Sequence, residues 1–164
     1  MKKTPISKFD PTKSIERARK KVSDTTKWSI KVPSGEFVWS NRMERLDLLR
    51  KGLPYDAIES VSKKSNLPGK QILMLLDLPQ TTYNKKKKDK DVLNGRDSEI
   101  ILMLTELMDF GLEVFNNESE KFQRWLKKPN IALGNVKPES LFDSVTGIQE
   151  VKNSLNRLEY GNLA

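Results

Sequence analysis

The chain has 164 residues and a formal net charge of +8, and contains neither cysteine nor histidine. Disulfides, cysteine- or histidine-ligated metals, and any nucleophile or general base of those two types are therefore excluded, while the length suffices for one domain or two small helical units. The charge is uneven, +6 over residues 1–40, +5 over 41–92 and −3 over 93–164, a balance that suits a polyanion at the front and a different partner at the rear, or only solubility.

Residues 1–35 are rich in Lys, Ser, Thr and Pro, with Trp28 and Ile30 the large apolar side chains near their end. They read as a basic flexible leader, either an arm on DNA or a tail without a specific role. Met1-Lys2-Lys3 is followed by Pro5, Lys8, Asp10 and Lys13, so no apolar signal core forms. From Phe37 the pattern turns helical. Leu46, Leu48, Leu49 and Leu53 belong to a helix closed by Gly52 and restarted at Pro54. Tyr55 to Lys64 is the next, with Ile58 and Val61 inward. No internal repeat and no strand-like alternation stands out, so the expected fold is all-α.

Leu67 to Lys88 reads as two helices around a tight turn. The first runs from about Gly69 to Leu76, and Asp77-Leu78-Pro79-Gln80 forms the turn, with Leu78 pinned inward. The second starts near Gln80. In a helix-turn-helix the second helix enters the major groove, with a polar, basic outer face and one inward anchor. Tyr83 is the expected anchor. Thr81, Thr82 and Asn84 are placed to address base edges or phosphates, and Lys85, Lys86, Lys87, Lys88 and Lys90 to bind backbone phosphates. A bare lysine run is otherwise a solvated face.

Asp97 or Ser98 is expected to cap a long helix carrying Ile100, Met103, Leu104, Leu107, Met108, Gly111, Leu112 and Phe115. Ile101, Leu102, Phe110 and Val114 widen its apolar stripe, so it must be covered on several sides, mostly within the chain and in part by a second copy. Ile100 to Phe115 is interrupted by Glu106, Asp109 and Glu113 and is too short to cross a bilayer. A soluble, cytoplasmic protein without a membrane association is expected. Further on, Asn117 to Glu120 suits a reciprocal N-cap for a short helix ending in Trp125-Leu126 before Pro129. Pro138 suits the first turn of another, and Thr146-Gly147-Ile148-Gln149 a second capping box. Ile148, Val151, Leu155 and Leu158 line one face of the last helix, and Gly161 fits a left-handed C-terminal position.

The order and spacing of Trp125-Leu126-Lys127-Lys128-Pro129-Asn130-Ile131-Ala132-Leu133-Gly134, Pro138-Glu139-Ser140-Leu141-Phe142, Gly147, Val151, Leu155 and Arg157-Leu158-Glu159-Tyr160-Gly161 resemble the toxin-binding domain of Xre/ParS-type antitoxins of bacterial RES–Xre pairs. Thr82-Tyr83-Asn84-Lys85-Lys86 likewise resembles the Thr-apolar-x-basic-basic end of that family's helix-turn-helix. Three features depart from it. Asp77 replaces the usual turn glycine, lysines replace arginines that read guanine better, and Ile100 stands where a basic residue is common. The resemblance implies a leader (1–35), an Xre-like helix-turn-helix region (36–97), and a long linking helix with a small helical toxin-binding domain (98–164). It implies a partner, a RES-domain toxin that consumes NAD, neutralised when the antitoxin's C-terminal helix and tail cover its cleft. By matching position the contacts would be Asn153, Asn156, Arg157, Glu159, Tyr160, Gly161 and Asn162. Operator DNA of its own operon and a second copy of the chain are the other implied partners. No catalytic residue, metal or cofactor is expected, since capping explains Glu118 and Glu120. The alternative is a helix-turn-helix transcriptional regulator whose C-terminal domain only dimerises.

Overall fold

The computed structural model describes residues 27–161. Most of the expected leader and the proposed contact Asn162 lie outside them. The chain runs β1 (Trp28–Val32), β2 (Gly35–Trp39), α1 (Arg42–Lys51), α2 (Asp56–Ser65), α3 (Gly69–Leu75), α4 (Gln80–Lys88), α5 (Gly95–Val114) and α6 (Ser119–Leu126). Two 3₁₀ turns, Ile131–Leu133 and Pro138–Leu141, lead into α7 (Val145–Glu159). The fold is mostly helical, as expected.

The hairpin is a correction to the helical reading. β1 and β2 pair antiparallel around Pro33-Ser34, with Trp28 opposite Trp39 and Ile30 opposite Phe37. Trp28, Ile30 and Val32 face inward and alternate with Ser29 and Lys31, the period of a half-buried strand. Residues 28–35 are thus structured and not leader. The Trp28 and Trp39 rings stack at 6.3 Å, and the Ser60 hydroxyl of α2 donates to the Lys31 carbonyl.

The helix starts also differ in detail from those expected. α5 begins three or four residues early because Asn94 caps it: its side-chain oxygen accepts from the Asp97 N–H at 2.8 Å, and its side-chain amide donates back to the Asp97 carboxylate at 2.9 Å. The return bond comes from the Asn94 side-chain amide and not from its backbone N–H, so this is an N-cap reinforced by a side-chain pair and not a full capping box. At α6 the Asn117–Glu120 box does not form. Asn116 and Asn117 adopt left-handed backbone, and the Asn117 N–H closes the end of α5 on the Leu112 carbonyl at 2.7 Å. α7 is capped by Ser144, whose hydroxyl accepts from the Gly147 N–H at 3.1 Å, so Thr146 lies inside the helix.

α5 is the pillar of the core. Ile100, Ile101, Leu102, Leu104, Leu107 and Met108 are all at most 1% exposed, each contributing about 1.5–3 kcal/mol through burial. The hairpin, α1, α2, α6 and α7 all pack against it, so its stripe is covered within one chain. Burial of Ile100 explains why an apolar residue is suited to that position. Gly111 is where α6 comes closest: a Cβ there would overlap the Phe122 ring. Among the described residues no helix is long and apolar enough to cross a membrane.

Candidate nucleic-acid and partner-binding surfaces

The turn between α3 and α4 forms as the sequence leads one to expect. Asp77 takes the left-handed conformation (φ 53°), which lets the Leu78 N–H reach back to the Leu73 carbonyl at 2.9 Å. Pro79 then sets the start of α4, whose first turn closes when the Tyr83 N–H donates to the Pro79 carbonyl at 2.9 Å. Tyr83 is the anchor: it is buried, its ring lies 6.3 Å from that of Tyr55, and its hydroxyl donates to Glu59 at 3.2 Å. Burial raises its pKa first, with the nearby Glu59 charge adding to the effect.

The lysine run does not act as one block. Lys85 and Lys88 are exposed and take part in no ion pair among the described residues. Lys86 pairs with Asp91 at 2.7 Å, which raises its pKa. Lys87 turns back onto α2, bonded to Glu59 and 3.3 Å from Asp56, with its ammonium 5.9 Å from the Tyr83 ring centre. The Glu59 bond strongly raises the Lys87 pKa and lowers that of Glu59. Thr81 and Asn84 are exposed and Thr82 is half-buried; the Asn84 carbonyl oxygen accepts from Gln80 at 3.0 Å. Lys90 is exposed just past the helix in left-handed backbone. Thr81, Asn84, Lys85 and Lys88 fall at i, i+3, i+4 and i+7, on one face of the helix.

At the other end, α7 presses Ile148, Val151, Ser154 and Leu155 into the core. Gly147 abuts the backbone of the preceding 3₁₀ turn, where a Cβ would overlap the Leu141 carbonyl. Leu158, expected inward, is 48% exposed because the core ends a turn earlier. Asn153, Asn156, Arg157 and Tyr160 share a face by the same i, i+3, i+4, i+7 spacing, while Glu159 points roughly 120° away from its centre. Asn153 is tied locally to Gln149 and Glu150. Asn156 is half-buried and lines a small cleft with Trp28, Phe110, Glu113 and Lys152. Arg157 and Glu159 are exposed, Tyr160 is 71% exposed, and Gly161 has the left-handed φ of 61° expected of it.

Sequence reasoning missed a polar group that fastens the hairpin and α1 to α5. Glu106 on α5 accepts from the Trp39 indole N–H at 2.9 Å and lies 3.0 Å from Arg45 Nε. The Arg45 contact is too bent for a hydrogen bond and is coulombic. The same arginine reaches Glu99 at 3.4 Å, and Lys64 pairs with Asp109 at 2.6 Å. Glu99, Glu106 and Glu113 recur every seven residues on α5, the one signal by which a polar seam facing α1 and the hairpin was discoverable.

A helix-turn-helix with a polar outer face, joined through one long helix to a small helical unit with an exposed tail, is the build of a DNA-binding protein that carries a second, partner-binding domain. Known proteins give that class a family. A family model for the antitoxin Xre-like helix-turn-helix domain matches residues 44–105. One for the antitoxin Xre/MbcA/ParS C-terminal toxin-binding domain matches residues 111–161. The chain thus carries the domain pair of an Xre/MbcA/ParS-type antitoxin, a helix-turn-helix followed by a toxin-binding domain. The two matches meet on α5, and the hairpin precedes both. The chain is 28% identical to the Antitoxin Xre of Photorhabdus laumondii over 114 residues, 70% of this chain and 77% of that one. It is 27% identical to the Antitoxin Xre of Yersinia enterocolitica over 116 residues, 71% and 78% of the two chains. A protein of a Sphingobium species named Prs ADP-ribosylating antitoxin is 28% identical over 131 residues, 74% of this chain and 82% of that one.

Proposed function

We propose that this chain is a non-enzymatic, cytoplasmic antitoxin that neutralises a cognate RES-domain toxin and represses its own operon. The observation that carries the first half is the toxin-binding match over residues 111–161, which ends on a polar stripe whose Arg157 and Tyr160 are exposed. Arg157 is a forked cation suited to a carboxylate in an NAD-binding cleft, and Tyr160 is a rigid amphipathic anchor. Asn153, Asn156, Gly161 and Asn162 complete the contact surface, and Glu159 lies at its margin. The name of the Sphingobium relative couples an antitoxin with ADP-ribosylation, a reaction that draws on NAD, which supports an NAD-consuming partner. Repression is assigned to Thr81, Thr82, Asn84 and the exposed lysines of α4 in the major groove, with two copies of the chain on a palindromic operator. Since α5 is covered within the chain, the second copy meets another surface; Met43 and Leu46, one turn apart on α1 and 64% and 39% exposed, are among the exposed apolar side chains that such a contact would use.

The test is growth of cells that express the cognate toxin together with this chain. The full chain restores growth, and a chain ended at Asn156 does not, although it still shifts operator DNA in a gel. Full protection by the shortened chain would contradict the assignment of the tail.

A further inference from the structure

Four consecutive lysines at the end of a recognition helix invite the reading that all four hold phosphates. The side chains divide otherwise. The stripe formed by Thr81, Asn84, Lys85 and Lys88 is exposed. Lys87 lies roughly 120° around the helix from its centre, one turn beyond the buried Tyr83. Both residues reach the same carboxylate, since the Tyr83 hydroxyl donates to Glu59 Oε1 and the Lys87 ammonium bonds that same oxygen. Asp56, one turn earlier on α2, supplies a second carboxylate 3.3 Å from the ammonium. The ammonium also sits over the Tyr83 ring. With two carboxylates and an aromatic face around it, this charge is already neutralised within the protein.

We infer that Lys87 is a positioning residue, not a phosphate contact: it fastens α4 to α2 through Glu59 and Asp56, and thereby aims Thr81, Asn84, Lys85 and Lys88 at the groove. The inference rests on the DNA-binding reading above. It has a signature that a phosphate contact cannot imitate, because only lysines that displace counterions steepen the dependence of binding on salt. A residue that acts by orienting its helix changes affinity alike at every salt concentration.

The experiment measures binding to a duplex spanning the promoter of the chain's own gene, and to a scrambled duplex of equal length, across a salt series. Lys85→Ala and Lys88→Ala each lower the log–log salt slope by roughly 0.9. Lys87→Met weakens promoter binding by about two- to fivefold, the worth of a half-exposed ion pair, and leaves the slope unchanged. Lys87→Arg, which can keep both carboxylates, binds like the wild type. Removing the clamp from its other side, with Asp56→Asn and Glu59→Gln together, frees the ammonium and raises the slope by roughly 0.9; adding Lys87→Met removes that rise. This pair of variants also decides the matter if Lys87→Met alone does not fold. A slope lowered by Lys87→Met as much as by Lys85→Ala would overturn the inference and leave the DNA-binding reading intact. Failure of the folded wild-type chain to bind either duplex would overturn both.

Discussion

Gly147 provides the sharpest test of how the partner-binding unit is held together. It lies in the first turn of α7, buried, with the carbonyl of Leu141 from the preceding 3₁₀ turn directly against its Cα. In Gly147→Ala the new methyl would overlap that oxygen and come close to the Leu141 carbonyl carbon and Cβ. The obstacle is backbone, so a side-chain rotation cannot relieve it, and the turn must part from the helix. Overpacking a tight interior costs about 1–3 kcal/mol, and a backbone obstacle belongs at the top of that range. Alanine's better helix propensity returns about 1 kcal/mol. The net loss is about 2 kcal/mol, which lowers the Tm of a chain of this size by about 4–8 °C. Thermal unfolding followed by circular dichroism measures it. Gly111→Ala is the internal comparison: its obstacle is the Phe122 ring, which can shift, so it should cost less. A Tm for Gly147→Ala equal to or above the wild type's would mean that the turn does not sit on α7 as described, and the packing argument would fail.

Other consequences are quicker to check. Asp77→Gly relieves a left-handed residue (φ 53°) and should stabilise the chain by about 0.5–1 kcal/mol, while removing a negative charge beside the reading face; a tighter promoter complex and a higher Tm are expected, and a lower Tm counts against the turn. Glu106→Gln removes the charge shared by Trp39 and Arg45 and should cost about 1–3 kcal/mol in urea unfolding; an unchanged midpoint would mean that the seam contributes nothing. Glu59 has a pKa below its ordinary 4.5 because Lys87 bonds its charged form. A carboxylate depressed in the folded state stabilises the fold above its unfolded pKa and loses that contribution as pH falls through the folded value. The clamp on α4 should therefore hold at neutral pH and weaken below pH 4.5. A Lys87→Met variant whose stability deficit is as large at pH 3 as at pH 7 would contradict this.

Where sequence reasoning succeeded, local chemistry left few choices. Leu78 and Pro79 between two short apolar runs dictate a turn, and Tyr83, alone among polar neighbours on α4, had to face inward. The face shared by Asn153, Asn156, Arg157 and Tyr160 follows from helical spacing. What escaped depends on the rest of the fold. The alternation of Trp28, Ile30 and Val32 spans only five residues and follows a long Lys- and Ser-rich stretch, so composition outweighed periodicity. Lys87 looked like its neighbours because its partner Glu59 is 28 residues away in sequence. The helix caps were displaced by two to four residues, since Asn94 and Ser144 competed with equally good capping residues nearby. Leu158 fits the apolar period of α7, yet among the described residues no neighbouring element covers it.

The account turns on the C-terminal stripe acting as a plug for an enzyme's NAD cleft. Its most direct test is NAD consumption by the purified cognate RES-domain toxin, titrated with the full chain and with the chain ended at Asn156. The full chain should bring turnover to background at a fixed molar ratio and travel with the toxin as one complex, while the shortened chain leaves turnover at the uninhibited rate. An active toxin whose NAD consumption is untouched by an excess of the folded full chain would contradict the account.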